Sequence, residues 1–502
     1  MKTVSTEGVK RMNGSKGLSE VGRLFTGKCL IATDIDRTIL AQTDDERQEF
    51  FLHIAPSLLV AASYGTTLAF MTGNSMHQLC SRFLKYLLKD ICHKEKFDVL
   101  DQFHFFSNSG GVYSKFSAKD KGVRQVIDDD SLDASSKAKK LFDLLTFRNE
   151  ENFFRIQQRF IDTNFLEKCR ISERDIDKVR EITAKCIEKY NNKLETQSEK
   201  LSKKYDMSHV EDENGLKPAV LQRRLLIYGT DESPKEGSVQ LTIKPILSFL
   251  HAVDAKTKGR LIKKDERTRL LSEIQGKLDS SGLSHIMARP GGRSSIDMTL
   301  QKLDKAYALE YLIDSLNMQG HSRQGKKFGS NAIYFGDEVI AGFGNDYPVT
   351  RIPGLLVFAV NPDKDLIPFL SHVFVPSSIL AGPEATSDML RTFNSITFRL
   401  INEYEHSKGK KKRKVVNAID ALKKELFVAR ILEKMETMKG EGTTTVEDWQ
   451  TLHSFVTLMS RDDPAAREWL FILLNELDAI MAQISLNPKL AQPGIGSSHP
   501  DA

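Results

Sequence analysis

The sequence predicts an α/β protein with a doubly wound core, and three observations carry that prediction. Short apolar runs of strand length alternate with stretches of helical spacing. Each run ends in a polar loop rich in glycine, asparagine or aspartate, and a long charged segment separates the third run from the fourth. Alternation of this kind calls for a parallel sheet, and chemistry in such folds gathers outside the carboxyl ends of the strands.

In order along the chain, residues 1–23 form a polar, glycine-containing leader without an apolar stretch, expected to be flexible. Lys28-Cys29-Leu30-Ile31-Ala32-Thr33 is an apolar run that ends in Asp34-Ile35-Asp36, as a buried parallel strand entering a polar loop would. Phe50 to Ser63 has helical spacing, Thr66 to Met71 is rich in strand-forming residues, and Thr72-Gly73-Asn74-Ser75 breaks it before another helix. Phe103 to Ser107 is a third strand, closed by Asn108-Ser109-Gly110-Gly111. These pieces make residues 24–118 the first part of the core.

Residues 119–300 read as an inserted α+β unit. It opens with a charged helical segment from Asp130 to about Lys204, whose Lys and Glu runs are solvated helix faces. Two strand-like runs follow, Leu221 to Tyr228 and Val239 to Ile246, then a helix near Thr268 to Leu278 and the strands Ser284 to Arg289 and Ser294 to Leu300. That is helix-strand-strand given twice. Residues 301–376 return to the core, with buried strands at Asn331 to Phe335 and Leu355 to Val360. Residues 377–488 hold several helical patterns, and 489–502 form a tail of disordered composition.

Bulk properties narrow the function classes. At 502 residues and 40% hydrophobic content the chain exceeds one ordinary core and can fill several. With 72 basic against 67 acidic side chains, composition marks no polyanion partner, and nucleic acid is not expected as one. The five cysteines form no CxxC pair, against a disulfide framework or a structural zinc site, and suit a reducing, cytoplasmic setting. No run nears the roughly 18 apolar residues of a membrane span, so no membrane partner is expected. The run Lys408 to Lys414 is read first as solvated linker; a nuclear signal or anionic-surface contact is the alternative.

Two carboxylates on alternate residues at a strand end, Asp34 and Asp36, can divide phosphoryl transfer, one attacking phosphorus and the other moving a proton. A lone pair of this kind is more often an acidic loop cap. Thr72 adds a hydroxyl donor where a phosphoryl oxygen would sit if the first two strands lie side by side. Lys305, opening a helical segment, offers an ammonium to the phosphoryl charge and to the nucleophile. Gly336-Asp337-Glu338, followed by Gly344-Asn345-Asp346, sets further carboxylates at another strand end, suited to magnesium, which takes few carboxylates beside water and phosphate oxygens.

In this order, Asp34-Ile35-Asp36-Arg37-Thr38, Met71-Thr72-Gly73, Lys305, and Gly336-Asp337 with Asn345-Asp346 resemble the four motifs of the haloacid dehalogenase (HAD) superfamily. The resemblance spans roughly residues 24 to 375. It implies a Rossmann-like core with an inserted cap, and Ser107 to Tyr113 looks like the segment where such phosphatases leave the core sheet. It further implies that Asp34 forms an aspartyl-phosphate, that Asp36 protonates the leaving group and then activates water, and that Thr72 and Lys305 hold phosphoryl oxygens. Magnesium would be held by Asp34, the main-chain carbonyl of Asp36 and Asp337, with Asp346 either a further ligand or a residue that supports the ligands, and Asn345 orienting them. Two features depart from the family pattern: Arg37 stands where glycine is usual, and the stretch from Asp337 to Asn345 is longer than the commonest form, nearer to phosphomannomutases and sugar-phosphate phosphatases.

The function this implies is hydrolysis of a small phosphorylated substrate, a sugar phosphate by preference. A phosphomutase and a non-enzymatic scaffold are the alternatives. Gly73, Asn74 and Asn345 are expected at the substrate, together with Arg289 and Arg293, which flank a flexible turn that a closing lid would use to read hydroxyls or phosphate. A hairpin turn with two solvated arginines is the competing reading of that last pair.

Overall fold

The computed structural model describes residue 23 and residues 25–41, 44–148, 154–205, 225–229, 239–245, 264–291, 295–317, 320–321, 327–328, 331–340, 344–360, 373–375, 380–406 and 417–426, with scattered positions between 450 and 482. Residues 1–22 of the expected leader, the basic run 408–414, the tail 489–502 and Arg293 lie outside the described residues.

The first part of the core is β1 (Leu30–Asp34), α1 (Asp44–Ser63), β2 (Thr67–Met71), a helix α2 running through Met76–Leu79, a π-helical turn Cys80–Leu84 and Lys85–His93, then β3 (Phe103–Ser107) and β4 (Val112–Lys115). Every residue of β1, β2 and β3 is buried, as their unbroken apolar runs require of strands covered on both faces. Asn108, Ser109 and Gly110 take φ of 53°, 54° and 89°, a left-handed turn that reverses the chain between β3 and β4. A Cβ on Gly110 would stand 2.8 Å from the Ala308 methyl, so glycine also lets a later helix close on this turn.

Next come α3 (Lys121–Ile127), α4 (Ala134–Leu145), the hairpin β5 (Thr146–Arg148) and β6 (Phe154–Ile156), and α5 (Thr163–Cys169). Asp120, Asp133 and Asp162 start the three helices by accepting amide hydrogens of the first turn. Then follow α6 (Glu173–Tyr205), β7 (Leu225–Gly229), β8 (Leu241–Pro245), α7 (Lys264–Ser280), β9 (Ile286–Gly291) and β10 (Ser295–Leu300). The chain returns through α8 (Lys305–Ser315), the short pair β11 (Gly320–His321) and β12 (Lys327–Phe328), then β13 (Ala332–Gly336), β14 (Leu356–Ala359), β15 (Val373–Phe374) and α9 (Gly382–His406).

The main sheet has the order β15-β14-β13-β1-β2-β3-β4, parallel throughout except for β4. The chain lays strands outward from β1 on one side and outward from β13 on the other. The topological switch point therefore falls between β1 and β13, and a crevice opens at their carboxyl ends. This is the doubly wound α/β core that the sequence predicts.

Two apolar clusters fill the molecule. The larger lies on both faces of the main sheet and takes in Val123, Leu141, Phe142 and Phe165 of α3 to α5, as well as Met389, Leu390, Phe393 and Ile396 of α9. The smaller sits between α6, α7 and the antiparallel sheet β7-β8-β10-β9. Its strands contribute alternate residues, Leu241 and Ile243, Ile286 and Ala288, Ile296 and Met298, so one sheet face packs on the helices. Of the insertion expected over 119–300, the stretch from α6 to β10 forms this layer, whereas α3, α4 and α5 pack against the main sheet instead. Among the described residues no helix is long and apolar enough to cross a membrane.

Candidate active site

Asp34 ends the central strand, with β2 and β13 as its neighbours. In register, Asp34 faces Met71 of β2, and Thr33 faces Phe335 of β13, so Thr72 and Asp337 emerge just past the same edge. Asp34 is buried, and Lys305 Nζ donates to its Oδ1 at 2.6 Å. Burial raises the Asp34 pKa well above the carboxylate range, Lys305 opposes this, and the carboxylates of Asp346, Asp337 and Asp36 reinforce it.

Lys305 reaches Asp34 because it is the first residue of α8. Asp304 caps that helix, its Oδ1 accepting from Tyr307 N at 2.9 Å and pairing with Arg351 at 3.0 Å. Lys305 is 2% exposed and also donates to Asp346 Oδ1 at 2.6 Å and Asn345 Oδ1 at 3.1 Å. Burial alone would strip its proton, but the two carboxylates outweigh that and raise its pKa, so it stays an ammonium.

Asp346 is fixed on both oxygens. Tyr334 donates its hydroxyl to Oδ1 at 2.5 Å, and the Glu338 amide donates to Oδ2 at 2.9 Å. A Cβ on Gly336 would stand 2.6 Å from Asp346 Oδ2, so a bare glycine at the end of β13 makes room for the carboxylate. Asp337 follows and is salt-bridged by Arg37, which also meets Glu338 Oε1 at 2.8 Å. Burial, then the neighbouring Asp346, push the Asp337 pKa up to about 8, against the pull of Arg37.

Carboxylate oxygens of Asp34, Asp337 and Asp346 all lie within 4.8 Å of one another. They are hard oxygen donors, and with Glu338 they set four carboxylates against the two cations Lys305 and Arg37. Hard oxygen donors converging at this spacing, more carboxylates than cations, are the donor set that a divalent cation takes, so the residues fit magnesium.

The Asp36 carboxylate turns elsewhere. It accepts from Asn74 Nδ2 at 2.6 Å and Thr72 Oγ1 at 3.3 Å, and pairs with Arg82 Nη1 at 2.9 Å. The Asn74 amide in turn donates to Thr72 Oγ1 at 3.0 Å. A small cleft opens here, lined by Asp36, Thr72, Asn74, Gln78 and Arg82 and by the apolar Ile35, Leu40, Leu79 and Phe83. A substituent on Gly73 would lie 3.8 Å from both Asn345 Nδ2 and Ser109 Oγ. From the inserted unit, the buried Gln240 donates to the Gly73 carbonyl at 3.3 Å and to Thr242 Oγ1 at 2.8 Å, and Thr242 donates to Asp297 at 2.8 Å.

The structure thus brings together Asp34, Asp36, Thr72, Gly73, Asn74, Lys305, Asp337, Asn345 and Asp346. Arg289 is engaged differently. It donates to Thr299 Oγ1 at 2.8 Å and to the carbonyls of Gln301 and Leu303, bracing the link between β10 and α8, and none of its bonds is to the Asp34 group. Sequence reading passed over Arg82, Tyr334 and Gln240. Arg82 was discoverable as the helical i+4 neighbour of Gln78 behind the Thr72 loop, and Tyr334 as a hydroxyl two residues before Gly336, on the same strand face. Gln240 carries no such local signal.

No protein-family model and no curated protein matches the chain. Among solved structures it is similar to an N-terminally truncated IMP-nucleotidase of Plasmodium falciparum, at 14% identity and a TM-score of 0.37, over 75% of this chain and 72% of that one. It is also similar to the sucrose-phosphatase of Synechocystis in complex with sucrose and phosphate, at 11% and 0.37, over 73% and 98%. A third is yhjK, a haloacid dehalogenase-like hydrolase protein of Bacillus subtilis, at 11% and 0.32, over 73% and 92%. The residues gathered at the switch point are those of the four motifs by which the sequence resembles the haloacid dehalogenase superfamily.

Proposed function

We propose that the protein is a magnesium-dependent phosphohydrolase that cleaves a small phosphate monoester, of the sugar-phosphate class, through an aspartyl-phosphate. What supports this most is the contrast between two carboxylates two residues apart. Asp34 is buried against Lys305 at 2.6 Å, whereas Asp36 stands beside the cleft among separate donors.

In the first step an Asp34 oxygen attacks phosphorus, the bond from phosphorus to the ester oxygen breaks, and Asp36 delivers a proton to the departing alcohol. In the second, water attacks the same phosphorus, gives its proton to Asp36, and the bond to Asp34 breaks. Lys305 and Thr72 hold phosphoryl oxygens, with Gly73, Asn74 and Asn345 beside them. Magnesium, held by Asp34, Asp337, Asp346 and the main-chain carbonyl of Asp36, would offset the negative charge gathering on the phosphoryl group. The long fourth motif, nearer to that of sugar-phosphate phosphatases, points to a hydroxylated alcohol, to which Asn74, Gln78 and Arg82 offer polar groups in an otherwise largely apolar cleft. The unpaired cysteines fit a cytoplasmic setting.

The test is phosphate release from a panel of sugar phosphates, nucleotides and a chromogenic ester, with magnesium and with chelator, for wild type and Asp34→Asn. Release should need magnesium and fall to background in the variant with folding kept. Normal turnover by Asp34→Asn would overturn the mechanism.

A further inference from the structure

Arg37 is the residue at which the first motif departs from its family, and the structure gives it an unusual position. It has φ of 60°, a left-handed conformation that glycine adopts freely and a long side chain does not. Its loop is closed tightly, with the Arg37 amide donating to Leu40 O at 2.6 Å and the Leu40 amide to Ile35 O at 2.9 Å. The side chain then extends over the carboxyl end of β13, with its guanidinium on Asp337 and Glu338.

Helix α9 is built against the same loop. Gly382, its first residue, has φ of 54°, and a Cβ there would stand 2.7 Å from the Arg37 carbonyl oxygen. One turn later Thr386 donates its hydroxyl to Thr38 O at 2.7 Å. The Gly382 amide donates to Val360 O at 2.7 Å, just beyond β14. So α9 is tied to the sheet at one point and presses on the Arg37 loop at two.

We propose that Arg37 is a built-in competitor for the divalent cation, lowering the affinity of the Asp34, Asp337 and Asp346 site, and that α9 holds it in that position. The inference rests on the metal reading above. A guanidinium and a metal ion both need the Asp337 carboxylate, and a fixed positive charge beside the site repels a second cation. Asp337 and Glu338 are the partners that hold Arg37 at this edge, and Lys305 is the only other cation hydrogen-bonded to the carboxylate cluster among the described residues.

The experiment is titration of the full chain with Mn²⁺ alone, followed by calorimetry and by the paramagnetic signal of free Mn²⁺, with no substrate present. Arg37→Gly suits the left-handed backbone, and Arg37→Asn, which also tolerates it, guards against a fault peculiar to glycine. Both should bind Mn²⁺ about tenfold more tightly than wild type. Asp337→Asn should lose binding with or without the Arg37 change. If both Arg37 variants bind as wild type or more weakly while Asp337→Asn loses binding, the competitor role falls and the metal reading stands. If Asp337→Asn binds as wild type, the metal reading falls and takes this inference with it.

Discussion

Asp34 and Asp36 sit two residues apart on one loop and meet opposite surroundings. The Asp34 side chain is 7% exposed, tied to a buried ammonium and crowded by other carboxylates, while the Asp36 side chain is 30% exposed and held by the amide of Asn74, the hydroxyl of Thr72 and the guanidinium of Arg82. The difference comes from where β1 ends. Asp34 is the last residue within the sheet, between β2 and β13, and the chain has left the sheet by Asp36. One carboxylate is thereby placed as a fixed nucleophile and the other as a group with access to solvent and substrate, from a single short motif.

The severest way to break this contrast is to remove the cation on the buried side. Lys305→Ala leaves Asp34 and Asp346 without their shared partner, both almost fully buried. Turnover should fall by about two to three powers of ten, the scale for losing one preorganised charge donor. Stability should fall by about 3–5 kcal/mol, as for a broken buried ion pair, unless the carboxylates take up protons instead. Denaturant melts beside kinetics check both; a variant with unchanged kcat would remove Lys305 from the site.

Next in size is the response to pH, which belongs to the buried side alone. An unfolded aspartate loses its proton at about pH 4, whereas Asp337 in the fold keeps it up to about 8. Between these values the folded chain holds a proton that the unfolded chain has released, so the metal-free protein loses stability as pH rises through that window and levels off above it. Cation binding has the opposite sense: affinity weakens as pH falls below about 8, because the proton must leave Asp337 first. Thermal melts of metal-free protein from pH 5 to 9 should slope downward in wild type and lose much of that slope in Asp337→Asn. A wild-type slope unchanged in Asp337→Asn would mean that Asp337 titrates normally.

Much of this arrangement was legible before the fold. The strands β1, β2, β3, β13 and β14 are apolar runs ending in polar loops, and the insertion shows its helix-strand-strand alternation, because burial on both faces or on one leaves a direct mark on composition. Asp34, Thr72, Lys305 and Asp337 each stand at the end of a strand or the start of a helix, where local pattern locates them. What the pattern does not carry is pairing across the sheet. Arg37 meeting Asp337 depends on β1 and β13 lying side by side although 297 residues intervene between Asp34 and Ala332. The contact of Gln240 with Gly73 depends on how the inserted layer lies over the core, and Arg289 turns to the link between β10 and α8, where Thr299 Oγ1 and the carbonyls of Gln301 and Leu303 accept from it.

The smallest effect sharpens the comparison from the open side. Arg82 and Asp36 are each about a third exposed at the side chain, so their ion pair, although only 2.9 Å long, contributes little to stability, about 0–1 kcal/mol. Its worth lies in orientation. Arg82 approaches from the π-helical turn of α2 and meets the Asp36 oxygen that Asn74 and Thr72 leave free, so three donors fix the direction in which this carboxylate hands over a proton. Arg82→Ala should leave the melting temperature nearly unchanged and lower kcat about tenfold, a fraction of the range that general acid–base catalysis supplies. Arg82→Lys, keeping the charge without the planar fork, should recover part of the loss. If KM rises while kcat holds, Arg82 touches substrate rather than orienting Asp36; if only stability moves, the open side of the loop does not depend on this arginine.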